Sequence, residues 1–147
     1  MSTREHDKVA LINQLMGLWA AGHFPDLLTA QQRQATIDAT FALQQADGGW
    51  STTALGSFTR VDKTPNDTRT DGFATALATL ALQEAGIAGT DPHIVKGLEW
   101  LRRNQDRTTG RWSASSLNKQ RDPESDPGKF MSDAATAYAV LALTYRK

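Results

Sequence analysis

Two kinds of helical pattern alternate along the chain of 147 residues. In the first kind, apolar side chains fall on one helical stripe and charged ones lie elsewhere, as at Ile94, Leu98 and Leu101. In the second kind, at residues 73–82 and 134–143, nearly every side chain is apolar or small. Since a helix without a polar face has to be surrounded by protein, the second kind predicts inner helices and the first kind predicts outer helices.

Capping residues indicate where these helices begin and end. Thr29 and Asp91 are candidate N-caps of the outer helices, Pro92 fits a first turn, and Gly86 is a natural stop for the first inner helix. Residues of about 8–21 form a degenerate version of the inner type. The order inner, outer, inner, outer, inner predicts about five helices in two layers. This all-α arrangement is an αα-toroid or solenoid (a partial α/α barrel), because an up-and-down bundle would make every helix amphipathic.

An internal repeat supports this arrangement. Trp50 and Trp112, each in a Gly-x-Trp turn, are 62 residues apart, and residues 74–82 match residues 135–143 at a shift of 61. The one-residue slip falls in a loop, where insertions cost least. The chain is therefore predicted to be one domain, 1–147, in which a helix at about 8–21 precedes two units at about 30–86 and 91–147.

Composition excludes several classes of function. Sixteen basic and sixteen acidic side chains cancel, which argues against a nucleic-acid partner, because such proteins need a concentrated basic face. There is no cysteine, and His6, His23 and His93 lack metal-ligand spacing, so no metal or cofactor is predicted. No apolar run approaches the roughly 20 residues of a transmembrane helix, and the first residues do not form a signal peptide. We expect a soluble protein of the cytoplasm.

The second Gly-x-Trp turn ends a longer pattern that resembles the QW motif of squalene and oxidosqualene cyclases. Its positions are Lys96, Gly97, Trp100, Gln105, Gly110 and Trp112. A shorter version in the first unit has Gln44 or Gln45, Gly48 and Trp50. The resemblance extends over about residues 30–147 and implies a member of the prenyltransferase and squalene-oxidase repeat family, with a terpenoid cyclase-like αα-toroid fold.

The physical chemistry of these positions indicates a structural role. A glycine permits a left-handed turn after the outer helix, the tryptophan returns to cover the end of that helix, and the glutamine amide can bind its exposed backbone groups. In the family, such motifs tie neighbouring outer helices together. Asp-x-Asp-Asp, which supplies the proton in class II terpenoid cyclases, is absent here. The cysteine that holds zinc in protein prenyltransferases, together with Asp and His, is also absent.

Two aspartates are candidates for catalysis. Asp71 follows Thr70 and Asp133 follows Ser132, at matching positions where the inner helices are predicted to begin. Paired carboxylates at one rim of a toroid could perform acid–base chemistry or hold a cation. The alternative is capping, with Thr and Ser as N-caps and each aspartate in a first turn favoured by the helix dipole.

The inner aromatics and the long loops are candidates for ligand binding. Phe73 and Tyr138 could line a cavity for a lipid or isoprenoid, although core packing is the favoured explanation. Loops at about 51–69 and 113–129 are long enough to be functional or disordered. Their basic residues could meet a diphosphate, but alternating acidic residues favour ordinary solvation; the basic positions are Arg60, Lys63, Arg69, Lys119, Arg121 and Lys129.

Two functions are therefore compared. The first is a terpenoid cyclase-like module that binds an apolar or isoprenoid-like ligand, or forms part of a larger enzyme, without cyclase activity of its own. The second is a structural or protein-binding repeat domain that self-associates through open helical edges. A complete toroid of this family has about twice as many helical hairpins. The expected protein partner is therefore a second copy or the rest of a longer chain, unless the half-toroid is itself the functional form. An active cyclase or transferase is the third and least favoured alternative.

Overall fold

The computed structural model describes residues 9–146. Over this range the chain forms five α-helices, two short 3-10 turns and no strand, which confirms the all-α fold class. The helices are α1 (Leu11–Ala21), α2 (Ala30–Ala42), α3 (Gly72–Glu84), α4 (Pro92–Arg103) and α5 (Asp126–Thr144). His6 and the first residue of the predicted 8–21 helix lie outside the described residues.

The inner layer is built around α3. This helix packs against α1 on one side, α5 on the other and the outer helix α4 behind, while the outer helix α2 packs on α1. Every residue from 74 to 83 is buried. Alanines and threonines dominate α3, and their small side chains let neighbouring backbones approach closely. The hydroxyl of Thr79 donates to the carbonyl of Thr75 one turn earlier, so this buried polar group is satisfied within the helix.

The predicted caps of the outer helices and the end of α3 are confirmed. Thr29 and Gln32 form a reciprocal capping box at the start of α2. Asp91 accepts a hydrogen bond from the backbone N–H of His93 at the start of α4. Past α3, Gly86 adopts a left-handed φ of 88°, a conformation that glycine takes without steric cost.

The last inner helix differs from its prediction in two ways. It begins at Asp126, under an N-cap by Ser125, and not near residue 132. It is also not surrounded by protein, since Val140 is 48% and Leu141 is 47% exposed. The reason is position: among the described residues, α5 has an inner neighbour on one side only. In the same range, no helix combines the length and apolar character required to cross a membrane.

Candidate functional site

Both Gly-x-Trp turns fasten an outer helix in the same way. The indole N–H of Trp50 donates to the carbonyl of Thr40 at 2.7 Å, and that of Trp112 donates to the carbonyl of Leu101 at 2.8 Å. Each acceptor lies in the last turn of an outer helix, where carbonyls lack helical partners. Both indoles are buried, so each turn covers the end of its outer helix with a large apolar surface.

The backbone of each turn tryptophan is held by the next inner helix. Trp50 N donates to Thr75 Oγ1 at 3.0 Å, and Trp112 N donates to Thr136 Oγ1 at 3.2 Å. Thr75 and Thr136 are 61 residues apart, so this pair fixes the register of the two inner helices relative to each other. The turns thus connect outer helix to inner helix in both copies.

Glycine and glutamine shape these turns. Gly48 and Gly110 have positive φ of 92° and 71°, and the side-chain amides of Gln44 and Gln105 donate to their carbonyls, both at 2.9 Å. A Cβ on Gly48 would also stand 2.8 Å from the carbonyl oxygen of Lys96. Both the positive φ and this close contact therefore exclude a larger residue. Lys96 therefore contributes its backbone to this contact.

The first turn is also fastened to α4. Trp100 Nε1 donates to Asp47 Oδ2 at 3.0 Å, and Arg103 donates to the carbonyl of Asp47 at 2.9 Å. Burial by itself would raise the pKa of Asp47, but hydrogen bonds from Thr70, Gly49 N and Trp100, together with the charge of Arg103, hold that pKa below its ordinary value. Asp47 was not among the predicted site residues, although it precedes the Gly-Gly-Trp segment directly.

A close approach explains the glycine within α4. A Cβ on Gly97 would lie 2.5 Å from Thr79 Oγ1 and 3.2 Å from the ring of Trp50. α4 can therefore reach α3 and the first turn only with glycine at this position. The motif residues join two outer helices and one inner helix into one contact region.

Asp71 caps α3. Its Oδ1 accepts hydrogen bonds from Ala74 N at 3.1 Å and Thr52 Oγ1 at 2.8 Å, and its Oδ2 accepts one from Thr52 N at 2.8 Å. The side chain is only 3% exposed, and burial raises its pKa against the opposing effect of these bonds. The expected arrangement, with Thr70 as N-cap, is corrected: Thr70 donates instead to Asp47 Oδ2 at 2.6 Å.

Asp133 is not the counterpart of Asp71. In the register set by Thr75 and Thr136, the residue 61 positions after Asp71 is Ser132. Asp133 lies inside α5, largely exposed, with Oδ1 3.3 Å from Arg111 Nε. The two predicted carboxylates therefore do not occupy matching positions.

Two adjoining cavities lie where the first turns of α1, α3 and α5 meet the long loops. The apolar cavity, of about 500 Å³, is lined mainly by Ile12, Phe73, Leu117, Phe130, Met131 and Ala134. The polar cleft, of about 610 Å³, is lined by residues that include Arg60, Arg69, Asp71, Ser115, Arg121 and Ser132. Residues common to both linings make them neighbours: Ala114, Ser115, Ser116, Arg121 and Met131. The loops are ordered against each other, with Val61 N donating to Asn118 O at 2.8 Å.

The two candidate aromatics have different positions. Phe73 lines the apolar cavity, whereas Tyr138 packs edge-on against Phe73 and Trp19, with ring centroids 5.5 and 5.6 Å apart. The hydroxyl of Tyr138 donates to Met16 Sδ at 3.6 Å, and burial raises the pKa of Tyr138. Phe130 was missed because it precedes residue 132, near which the helix was predicted to begin; α5 begins early enough to bring this aromatic to the cavity.

Comparison with known proteins identifies the family. No curated protein and no solved structure gave a significant match. In the described part of the chain, no group of three or more His, Cys, Asp or Glu side chains is placed to hold a metal ion. The sequence profile of the squalene-hopene cyclase C-terminal domain matches residues 12–144, which is most of the chain. With its two helical layers, the chain belongs to the squalene-hopene cyclase C-terminal domain family.

Proposed function

We propose that this terpenoid cyclase-like domain binds an apolar or isoprenoid-like ligand in the apolar cavity and has no cyclase activity of its own. The observation that carries the proposal is the cavity itself, about 500 Å³ between α1, α3, α5 and the second loop. That volume lies within the range of about 300–1,000 Å³ that is typical of small-molecule sites. Aromatic side chains, Phe73 and Phe130, supply two of its walls.

The side chains around the cavity support binding without proton transfer. A cyclisation that starts by protonation needs an acid beside the apolar chain of the substrate. Among the described residues that line the apolar cavity, none carries a carboxyl or imidazole group. Asp71 lines the neighbouring cleft, but Thr52 and Ala74 occupy both of its oxygens, as expected for a helix cap.

The binding function is tested by filling the cavity. Ala134→Trp places an indole in the cavity wall, and we expect the affinity for farnesol, measured by titration calorimetry, to fall by about tenfold or more. Ala88→Trp is the matched control, because Ala88 is exposed in the loop after α3 and lines neither cavity. Absence of farnesol binding to the unmodified chain, or equal binding by the two variants, would contradict the proposal. Cyclised products from incubation with squalene would contradict the absence of activity.

A specific observation also favours the second candidate, self-association through α5. Ala76 and Leu80 of α3 are buried in the cluster that receives α5. The corresponding residues of α5, 61 positions later, are Ala137 and Leu141, and both are exposed. α5 therefore exposes the same kind of apolar surface that α3 buries against its inner neighbour. We propose that a second copy of the chain covers this surface of α5.

The oligomeric state tests this second candidate. Light scattering across a concentration series is expected to show dimers that Leu141→Glu converts to monomers. Val61→Glu is the control, because Val61 is a more exposed apolar residue (74%) in a loop away from α5. A chain that stays monomeric at every concentration, or dimers that survive Leu141→Glu, would contradict self-association through this edge.

A further inference from the structure

We propose that the polar cleft binds an anionic head group of the phosphate class, so that the ligand of this domain is an amphiphile with its apolar chain in the neighbouring apolar cavity. This inference rests on the proposed function, because it assumes that the apolar cavity holds a chain. It assigns the ligand a charged end that the apolar cavity alone would not require.

The first observation is a buried cation that forms no direct ion pair within residues 9–146. Arg60 is only 8% exposed, and it forms no ion pair with any described residue. Its Nε donates to the carbonyl of Ser116 at 3.0 Å, and its Nη1 donates to the carbonyl of Pro65 at 2.6 Å. The second terminal nitrogen, Nη2, donates to no described residue, although Arg60 lines the cleft. The charge of Arg60 contributes to lowering the pKa of Asp62 and Asp67, but neither carboxylate forms an ion pair with it. A bound anion would supply the direct partner that this buried guanidinium lacks in the described part of the chain.

The second observation is Arg121, which lies where the two cavities meet. It is partly buried, lines both cavities and makes no hydrogen bond or ion pair with a described residue. An arginine in such a position presents a planar set of donors that can bind two oxygens of a phosphate group at once. The hydroxyls of Ser115 and Ser132, also in the cleft wall, donate to no described residue and are further donors for an oxyanion.

The carboxylates of the cleft form no ion pair with Arg60 or Arg121. Asp67 is paired with Arg69 at 2.7 Å, and the Arg69 side chain, ahead of the opposing effect of burial, holds the pKa of Asp67 below its ordinary value. Asp71 accepts its hydrogen bonds from Thr52 and the α3 backbone. Three arginines thus face two aspartates, so the side chains that line the cleft carry an excess of positive charge, and Arg60 and Arg121 are the two arginines without an ion pair to a described residue.

The adjacency of the cavities sets the shape of the ligand. Arg121 and Met131 belong to both linings, so a head group at the guanidinium has a continuous route for its chain toward Phe73 and Phe130. Phosphate-class head groups occur on isoprenoid diphosphates and on anionic membrane lipids, and the arginines of the polar cleft could bind either. The experiment has to separate these two sources.

The test compares ligands that differ only in the head group. Farnesyl diphosphate is expected to bind the unmodified chain about tenfold or more tightly than farnesol, an advantage that shrinks as salt screens the charges. Arg121→Gln should abolish this advantage, measured as the ratio of the two affinities, because farnesol has no anionic group for the guanidinium to bind. Arg107→Gln is the matched control, because Arg107 is exposed and lines neither cavity, and it should preserve the advantage.

A second arm identifies the source of the head group. Sedimentation with vesicles that contain phosphatidic acid, reduced by Arg121→Gln and not by Arg107→Gln, would assign the site to a lipid. Selective binding of farnesyl diphosphate without vesicle binding would assign it to a soluble isoprenoid. Equal affinity for farnesol and farnesyl diphosphate, or equal behaviour of the two arginine variants, would overturn the inference. The proposed function would still stand in that case, provided that farnesol binds. Loss of binding to every probe would overturn both.

Discussion

The two helix pairs, α2–α3 and α4–α5, share the same turn but not the same surroundings. In both turns the tryptophan indole donates to a carbonyl of the preceding outer helix, and the tryptophan backbone N–H donates to a threonine hydroxyl of the following inner helix. α3 nevertheless lies between two inner neighbours, whereas α5 has one such neighbour among the described residues. The repeated sequence therefore reproduces the hydrogen bonds within each unit. The burial of its inner helix depends instead on how many neighbouring helices the unit has.

A second difference between the pairs creates the candidate site. α3 has 13 residues and begins at its cap Asp71, while α5 has 19 residues and begins at Asp126. The extra turns at the start of α5 bring Phe130 and Met131 to the apolar cavity. The part of the second pair that departs from the repeat thus supplies cavity walls, while the repeated part supplies the support.

The largest expected effect is loss of a turn tryptophan. Trp50→Ala should lower the free energy of unfolding by about 3–5 kcal/mol, because it removes a large buried ring and the hydrogen bond to Thr40. Trp112→Ala should fall at the lower end of the same range, since Trp112 belongs to the smaller core cluster near α5. Urea unfolding of both variants measures the difference. A larger loss for Trp112 than for Trp50 would mean that the open edge is not the weaker part of the fold.

The next effect compares matched leucines of the two inner helices. Leu80 is 3% exposed and Leu141 is 47% exposed. Leu80→Ala should cost about 2–5 kcal/mol of unfolding free energy, as for other buried leucines. Leu141→Ala should change it by less than about 0.5 kcal/mol in the monomer, because little apolar surface is lost from the core. Thermal unfolding at low protein concentration measures both, and similar costs would show that α5 is covered in solution.

The smallest effect concerns the two aspartates. Asp71→Asn should cost about 1 kcal/mol, because the amide group cannot accept from every donor that Thr52 and Ala74 present. Asp133→Asn, at an exposed position, should cost less than about 0.5 kcal/mol. Urea unfolding at a fixed pH compares the two variants, and a larger cost at Asp133 would contradict the assignment of Asp71 as the structural cap.

The stability lost in Asp71→Asn should depend on pH in a defined direction. Because burial raises the pKa of Asp71, the folded state holds its proton more tightly than the unfolded chain does. Its contribution to stability is therefore greatest below the pKa of the unfolded chain and declines as pH rises through the higher folded pKa. The stability lost in Asp71→Asn should shrink over the same interval. Unfolding curves at a series of pH values measure this trend, and a loss that grows with pH would contradict it.

Local signals in the sequence predicted much of the fold. The caps at Thr29 and Asp91 could be predicted because a cap depends on the side chain and the next three residues. The repeat predicted five helices in two layers, and the structure and the family match agree with that architecture. The start of α5 was missed because its first turns are polar and contain Pro127 and Gly128, which are typical of loops away from a first turn.

The candidate site was much less accessible from the sequence. Sequence alone determined that Trp50 and Trp112 repeat with glutamine and glycine before them, since such a pattern can be counted along the chain. The tertiary structure supports the 61-residue shift that aligns Asp71 with Ser132 and not with Asp133, because Trp112 contacts Thr136 where Trp50 contacts Thr75. It also placed Arg60 and Arg121 in one cleft, which depends on contact between two loops that are far apart in the sequence. Burial and charge balance are properties of that contact, and no spacing along the chain encodes them.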